Sequence, residues 1–181
     1  MSKTLFLIAF ALIMFVYLQY YFKYNTEYRI IQAPLYKIDE NVLYEKYPIV
    51  VSDRLVKPDE LLETLFKYKY LFKSAHPQNG SPNPYLAISK YTLIYNDKAD
   101  IDVNIIAPQY RKEFQGFHDF QANKDINSTN AQYVTIKLKK QQVIILPAFW
   151  IYQSILPYHI ISLNDPFSLL VTMYYSTLAR P

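Results

Sequence analysis

Cysteine is missing from this 181-residue chain, which excludes disulfides and thiolate metal sites and fits a reducing compartment without requiring one. Glycine is almost missing as well. Two residues are too few for a loop that cradles phosphate, and neither a Gly-x-Ser-x-Gly elbow nor a zincin helix occurs. Nucleotide chemistry and nucleophilic hydrolysis are therefore disfavoured. Histidine is scarce, with three in the chain. His76 stands in a proline-rich segment, His118 is followed directly by Asp119, and His159 precedes an apolar strand, so no two have ligand spacing. Charge of one sign is also lacking: the net value is +4, with no run of five or more basic residues such as a nucleic-acid arm would carry. The densest patch, Lys137-Leu138-Lys139-Lys140, fits the wet face of a strand, and no nucleic-acid partner is expected.

What is present in quantity is apolar and aromatic. No charged residue occurs from Thr4 to Phe22, and Leu5 to Leu18 is unbroken apolar and aromatic sequence. At about 1.5 Å per residue the stretch reaches roughly 28 Å, close to the ~30 Å hydrocarbon core of a bilayer. A cleaved signal peptide would end in small residues. Here the run ends in Gln19-Tyr20-Tyr21-Phe22-Lys23-Tyr24, an aromatic belt with a snorkelling cation. Residues 1–22 are thus expected to be an uncleaved transmembrane anchor, with residues 4–22 in contact with lipid. Lys3 and the α-amino group on one side roughly balance Lys23 and Arg29 against Glu27 on the other, and the C-terminal domain is expected in the cytosol.

Residues 23–46 mix polar and apolar positions, with Ile30-Ile31 before a break at Pro34, and are expected to form a stalk that docks one strand on the domain. Residues 47–181 are near the usual size of one domain. The chain carries 19 Tyr and 11 Phe, and Ile and Val are frequent, all of which favour half-buried strands. Tyr47-Pro48-Ile49-Val50-Val51 has a buried-strand pattern. Pro58-Asp59-Glu60 opens a helix with proline first and acids in the first turn, and Leu61, Leu62, Leu65 and Phe66 form its apolar face. The segment His76 to Pro84 holds three of the 11 prolines and one of the two glycines, which predicts a mobile loop. Strands are predicted at 91–95, 101–106, 133–138, 143–146, 160–163 and 169–174, and regular short strands with turn signals predict a barrel or sandwich.

Three stretches carry a resemblance to a family. They are Tyr47-Pro48-Ile49-Val50-Val51 before a short helix, Ile106-Ala107-Pro108-Gln109 after a strand, and Val143-Ile144-Ile145-Leu146-Pro147-Ala148-Phe149-Trp150-Ile151-Tyr152. The chain resembles the cupin-like or jumonji-like double-stranded β-helix domains, from about Tyr47 to Tyr175, with Ser168 to Tyr174 resembling the closing strand. The implied fold is mainly β, a jelly roll with a short helix behind an N-terminal transmembrane helix. Active members resemble one another in an iron site of a His-x-Asp/Glu pair and a later His, open to 2-oxoglutarate and oxygen. The resemblance puts the first pair near Lys90 to Tyr95, which has neither His nor the acid spacing, and the later His at Tyr152. No catalytic residue, metal ligand or cofactor is therefore expected.

Phe149, Trp150, Tyr152 and Tyr158 are the candidates for a degenerate pocket or an interface, with core packing the more usual use of aromatics around a turn. Asp97, Asp100 and Asp102 could hold a hard cation through oxygens, but a solvated turn and strand face is the expected role. Small size, one anchor and the Lys, Ile, Asn and Tyr bias resemble proteins of large DNA viruses, which implies a virion membrane or minor capsid-associated protein that binds capsid or membrane proteins and links the internal membrane to the capsid. The alternatives are an Fe(II)- and 2-oxoglutarate-type cupin oxygenase with displaced ligands, and a lumenal ligand-binding domain. The sequons at Asn79 and Asn127 would matter only in the lumenal case.

Overall fold

The computed structural model describes residues 3–53, 58–66, 72–114, 117–118 and 120–178. Its first element is α1 (Lys3–Phe22), a helix apolar on every side. Strand β1 (Ile31–Ala33) follows, then helix α2 (Glu40–Tyr44), whose N-terminal amide of Val42 donates to the Asp39 carboxylate. Next come β2 (Ile49–Val51), helix α3 (Pro58–Phe66) and strands β3 (Phe72–Gln78), β4 (Tyr85–Leu86), β5 (Tyr91–Tyr95) and β6 (Ile101–Ile106). A connection with the two short strands β7 (Phe117–His118) and β8 (Gln121–Ala122) leads to β9 (Tyr133–Leu138), β10 (Val143–Pro147), β11 (Ile151–Gln153) and β12 (Tyr158–Asn164). Helix α4 (Pro166–Leu178) is the last described element.

The strands form two six-stranded sheets, ordered β1-β2-β10-β5-β12-β3 and β7-β8-β4-β11-β6-β9. The run β3 to β6 folds back on the run β9 to β12, so that β3 pairs with β12, β4 with β11, β5 with β10 and β6 with β9, each antiparallel. Successive strands of each run alternate between the sheets. That winding is a jelly roll, and it follows from the strand pairing alone. At the edge, β1 pairs with β2 in parallel, Ile31 opposite Ile49, so a segment next to the anchor is part of the sheet.

Alternation decides which face of each strand is buried. In β6, Ile101, Val103 and Ile105 are buried while Asp102 is exposed. The inward residues of both sheets, among them Val50, Ile94, Val103, Ile105, Ile144 and Trp150, make the central core. The first sheet is buried on its other face too, where Val51, Leu93, Ile145 and Ile161 pack against Leu43 of α2 and Leu61 and Phe66 of α3. This explains why β5 and β10 read as continuous apolar runs. The connection between β6 and β9 is folded rather than open: Phe114, Ala122 and Ile126 pack on Ile106 and Ile151.

Two local expectations are corrected. The closing strand predicted at 169–174 is helix α4. A six-residue apolar run does not distinguish strand from helix, and the start signal decides. The Asp165 carboxylate accepts from the Ser168 amide at 2.8 Å and Pro166 takes the first helical position, an N-cap followed by proline. The predicted loop from His76 is also shorter and more tightly held. His76, Pro77 and Gln78 complete β3, and Pro77 is tolerated because β3 is an edge strand. Beyond it, the Ser81 amide donates to the Ser154 carbonyl, and the Gln153 side chain donates to the carbonyls of Ser81 and Pro82. Gly80 is needed for this clasp, since a Cβ there would lie 1.6 Å from the Ile155 carbonyl oxygen.

Candidate functional site

The inside of the jelly roll is where a pocket would be expected in a barrel or sandwich. Tyr152 projects from β11, its ring stacked on Tyr85 of β4 with centroids 5.9 Å apart and meeting Tyr158 of β12 edge-on at 6.3 Å. Trp150 is fully buried beside them, and its indole N–H donates to the Lys46 carbonyl at 3.2 Å. Ile94, Ile105, Ile144, Leu146 and Ile160 fill the same cluster. The Tyr158 hydroxyl is buried and has no hydrogen-bond partner among the described residues. Burial and the neighbouring tyrosines push the Tyr152 and Tyr158 hydroxyls well above the ordinary value, so both stay neutral.

Of the four residues singled out from the sequence, Trp150, Tyr152 and Tyr158 share this core. Phe149 does not. Its backbone is left-handed at φ 74°, which turns the ring outward onto α1, 5.4 Å from Tyr21 and stacked on Phe22 at 5.5 Å. The resemblance places the first ligand pair near Lys90 to Tyr95, a segment whose Ile94 shares the interior cluster with Tyr152. That segment forms β5 in the sheet opposite Tyr152, whose register partners are Tyr85 on β4 and Ile105 on β6.

The histidines and acids are dispersed. His76 is exposed on β3. His159 stacks on Tyr95 at 5.2 Å and reaches Asp97 at 3.4 Å. Asp100 accepts from the Lys140 amide, and Asp102 sits opposite Lys137 in the sheet. The backbone of His118 lies on β7, and Asp119 is outside the described residues. Among the described residues no three His, Asp or Glu side chains gather as a ligand set.

A second polar constellation, which sequence reasoning missed, lies where α1 meets the domain. The Tyr17 hydroxyl donates to Asp165 at 2.7 Å, the Lys90 ammonium reaches the same carboxylate at 2.6 Å, and that carboxylate caps α4. Burial alone would push the Asp165 carboxyl up, but the hydrogen bonds from Lys90, Ser168 and Tyr17 outweigh it and hold it below the usual value. Asn164 continues the network, accepting from the Lys90 amide and donating to Ser89.

Lys46 closes the other end of the dock. Its backbone is left-handed at φ 58°, and its ammonium donates to the carbonyls of Tyr20, Tyr21 at 3.2 Å and Lys23 at 2.7 Å. α1 has no basic residue in its last turn, so the cation that suits the negative end of the helix comes from elsewhere in the chain. Burial, reinforced by the charges of Lys90 and Lys23, lowers Lys46 to about 8. A cavity of about 20 Å³ between Tyr17, Tyr21, Lys46, Lys90 and Tyr91 has room for one water. Beside it a groove of about 210 Å³ runs between Phe22, Tyr24, Phe149, Arg111 and Lys112.

No family model matches the chain, and no curated protein matches it. Among solved structures it is similar to RmlC from Streptococcus suis, solved in complex with dTDP-D-xylose, at 11% identity and a TM-score of 0.33. The match covers 65% of this chain and 61% of that one, less than two thirds of its length. At that level of likeness the assignment of the jelly roll rests on this chain's own strand pairing.

Proposed function

We propose that the chain is a single-pass membrane protein whose jelly-roll domain serves as a structural or protein-interaction module without catalysis. One observation carries the reading. The interior position that the cupin-like resemblance would give to a metal-binding His is held by Tyr152, clamped between Tyr85 and Tyr158 in an aromatic and aliphatic core. A supporting one is that α1, whose apolar window has a mean hydropathy of 2.1 and is 6% buried, joins the domain through the hydroxyls of Tyr17, Tyr20 and Tyr21. A bilayer through residues 4–22 and other proteins are the partners of this reading. Membership of a virus-particle membrane is its finer form, supported by composition and by the anchor-plus-domain plan.

The test uses the full chain in detergent, titrated with Fe(II) and 2-oxoglutarate and followed by thermal unfolding. A ligand that binds only the native state raises Tm by mass action. The expected result is an unchanged Tm and no succinate formed. A saturable rise with turnover of 2-oxoglutarate would overturn the reading in favour of an oxygenase with displaced ligands.

A further inference from the structure

Helix α4 is built inside out. Its residues facing the protein include Ser168, which is 0% exposed, and Thr172, whose hydroxyl meets the Ile88 carbonyl and the Asn164 side chain. Its outward residues are apolar: Leu170 is 59% exposed, Met173 56% and Tyr174 63%. Together with exposed Pro166 they follow the i, i+4, i+7, i+8 spacing of one helical stripe. No charged residue lies between Asp165 and Arg180. A water-facing helix has the opposite arrangement, and an apolar stripe facing outward marks a surface that meets something apolar.

The location of the stripe says what covers it. α4 packs on the aromatic end of α1: Tyr17 contacts Phe167 with ring centroids 5.0 Å apart, and Phe22 contacts Tyr175 at 6.4 Å. Phe22 belongs to the belt that sits at headgroup depth if α1 spans a bilayer, and Tyr17 lies less than two turns before it, so α4 is held close to that depth. Its outward stripe is then continuous with the apolar surface of α1, where Phe15 and Val16 are exposed. Basic residues border the same region. The Arg111 guanidinium lies over the Tyr175 ring at 5.6 Å, and Lys112 lines the adjoining groove. The Asp165 carboxylate, at the start of α4, is paired with Lys90. An uncharged helix with an exposed apolar stripe and a basic rim suits the interface of a bilayer with anionic lipid.

We infer that α4 is a second membrane contact, lying in the headgroup layer beside α1 with Leu170, Met173 and Tyr174 turned to the acyl chains. The inference rests on the proposed anchoring by α1, and the experiment separates the two. Because the chain has no cysteine, single-cysteine variants report without background. Full-length I8C, L170C, M173C and Y133C, each carrying an environment-sensitive fluorophore, are reconstituted into phosphatidylcholine vesicles with one quarter phosphatidylglycerol. Quenching by lipid-borne nitroxide is compared with quenching by aqueous iodide. The expected result is lipid quenching at 8, 170 and 173, with 133, on β9, quenched only by iodide. Lipid quenching at 8 combined with iodide quenching at 170 and 173 overturns the inference and leaves the anchor standing. Iodide quenching at all four sites overturns the anchor as well. Disulfide cross-linking of M173C between copies, without lipid quenching there, would assign the stripe to a second copy instead and overturn the inference.

Discussion

Trp150 and Tyr158 are both buried in one core, yet they make opposite demands on it. Trp150 fills the interior with its ring and satisfies its N–H on Lys46. Replacing it by Ala removes both the apolar contacts and the volume, and Trp150→Ala is expected to cost about 3 to 5 kcal/mol. Tyr158 packs equally well but leaves its hydroxyl without a partner among the described residues. An unsatisfied buried hydroxyl is a penalty of about 1 to 3 kcal/mol. Tyr158→Phe deletes it while keeping the ring, so this variant is expected to match or exceed the parent in stability. Chemical denaturation of both variants in the same detergent checks the pair. A large loss from Tyr158→Phe would mean that the hydroxyl is used, by water or by a ligand, and would reopen the interior as a binding site.

Among the elements, α4 depends most on a single side chain. Asp165 caps it, pairs with Lys90 and receives Tyr17 from α1, with its side chain 16% exposed. Asp165→Asn keeps a capping oxygen but loses the charge. The expected cost is about 2 kcal/mol, the range for a hydrogen bond to a charged group. Its pH dependence has a definite sign. A carboxyl held below its ordinary value of 3.8 contributes stability that is present above that pH and lost as pH falls through the lower native value. The parent and the Asn variant should therefore differ in Tm at neutral pH and converge in strong acid. A gap that persists there would place the effect in capping geometry rather than in charge.

The same scale shows what could be read in the sequence. Strands β6, β9, β10 and β12 were legible because a pleated strand alternates when one face is wet and runs apolar when both are dry. The N-terminus of α3 was legible from Pro58. α4 was misread because its apolar run was weighed without the Asp165-Pro166 start signal that precedes it. The dock could not be read at all. Tyr17 and Asp165 are separated by 148 positions, and nothing local in either segment announces the other. Lys46 likewise has no sequence mark as a cap for a helix that ended at Phe22.

At the scale of the whole molecule, its many tyrosines set its behaviour towards alkali. Burial holds the hydroxyls of Tyr91, Tyr152 and Tyr158 above the ordinary 10.0. A raised native value means stability that is complete below about pH 10 and falls as pH climbs beyond it, because the unfolded chain ionises first. Lys46 has the reverse sign. Lowered to about 8 from 10.5, it adds stability as pH rises across that interval. The expected profile climbs gently above about pH 8 and then drops steeply past about pH 10. Denaturant midpoints measured across this range, with a further step of tyrosinate absorbance that accompanies unfolding, would check it. The absence of that step on unfolding would mean that the rings of Tyr91, Tyr152 and Tyr158 are open to solvent.

The short path from helix to barrel has one more consequence. Between Phe22 and β1 the chain is tacked down repeatedly: Lys46 grips the end of α1, Glu27 accepts from the Tyr47 hydroxyl, and Tyr28 accepts from the Ala107 amide and lays its ring edge-on to Trp150. A domain on a loose tether would tumble above its membrane and present a different side at each encounter. This one is fastened, so if α1 spans a bilayer as proposed, its remaining freedom is to drift laterally and spin about the membrane normal. In the proposed protein-binding role, much of the orientational search that a docking partner ordinarily has to complete would then be finished before the two meet.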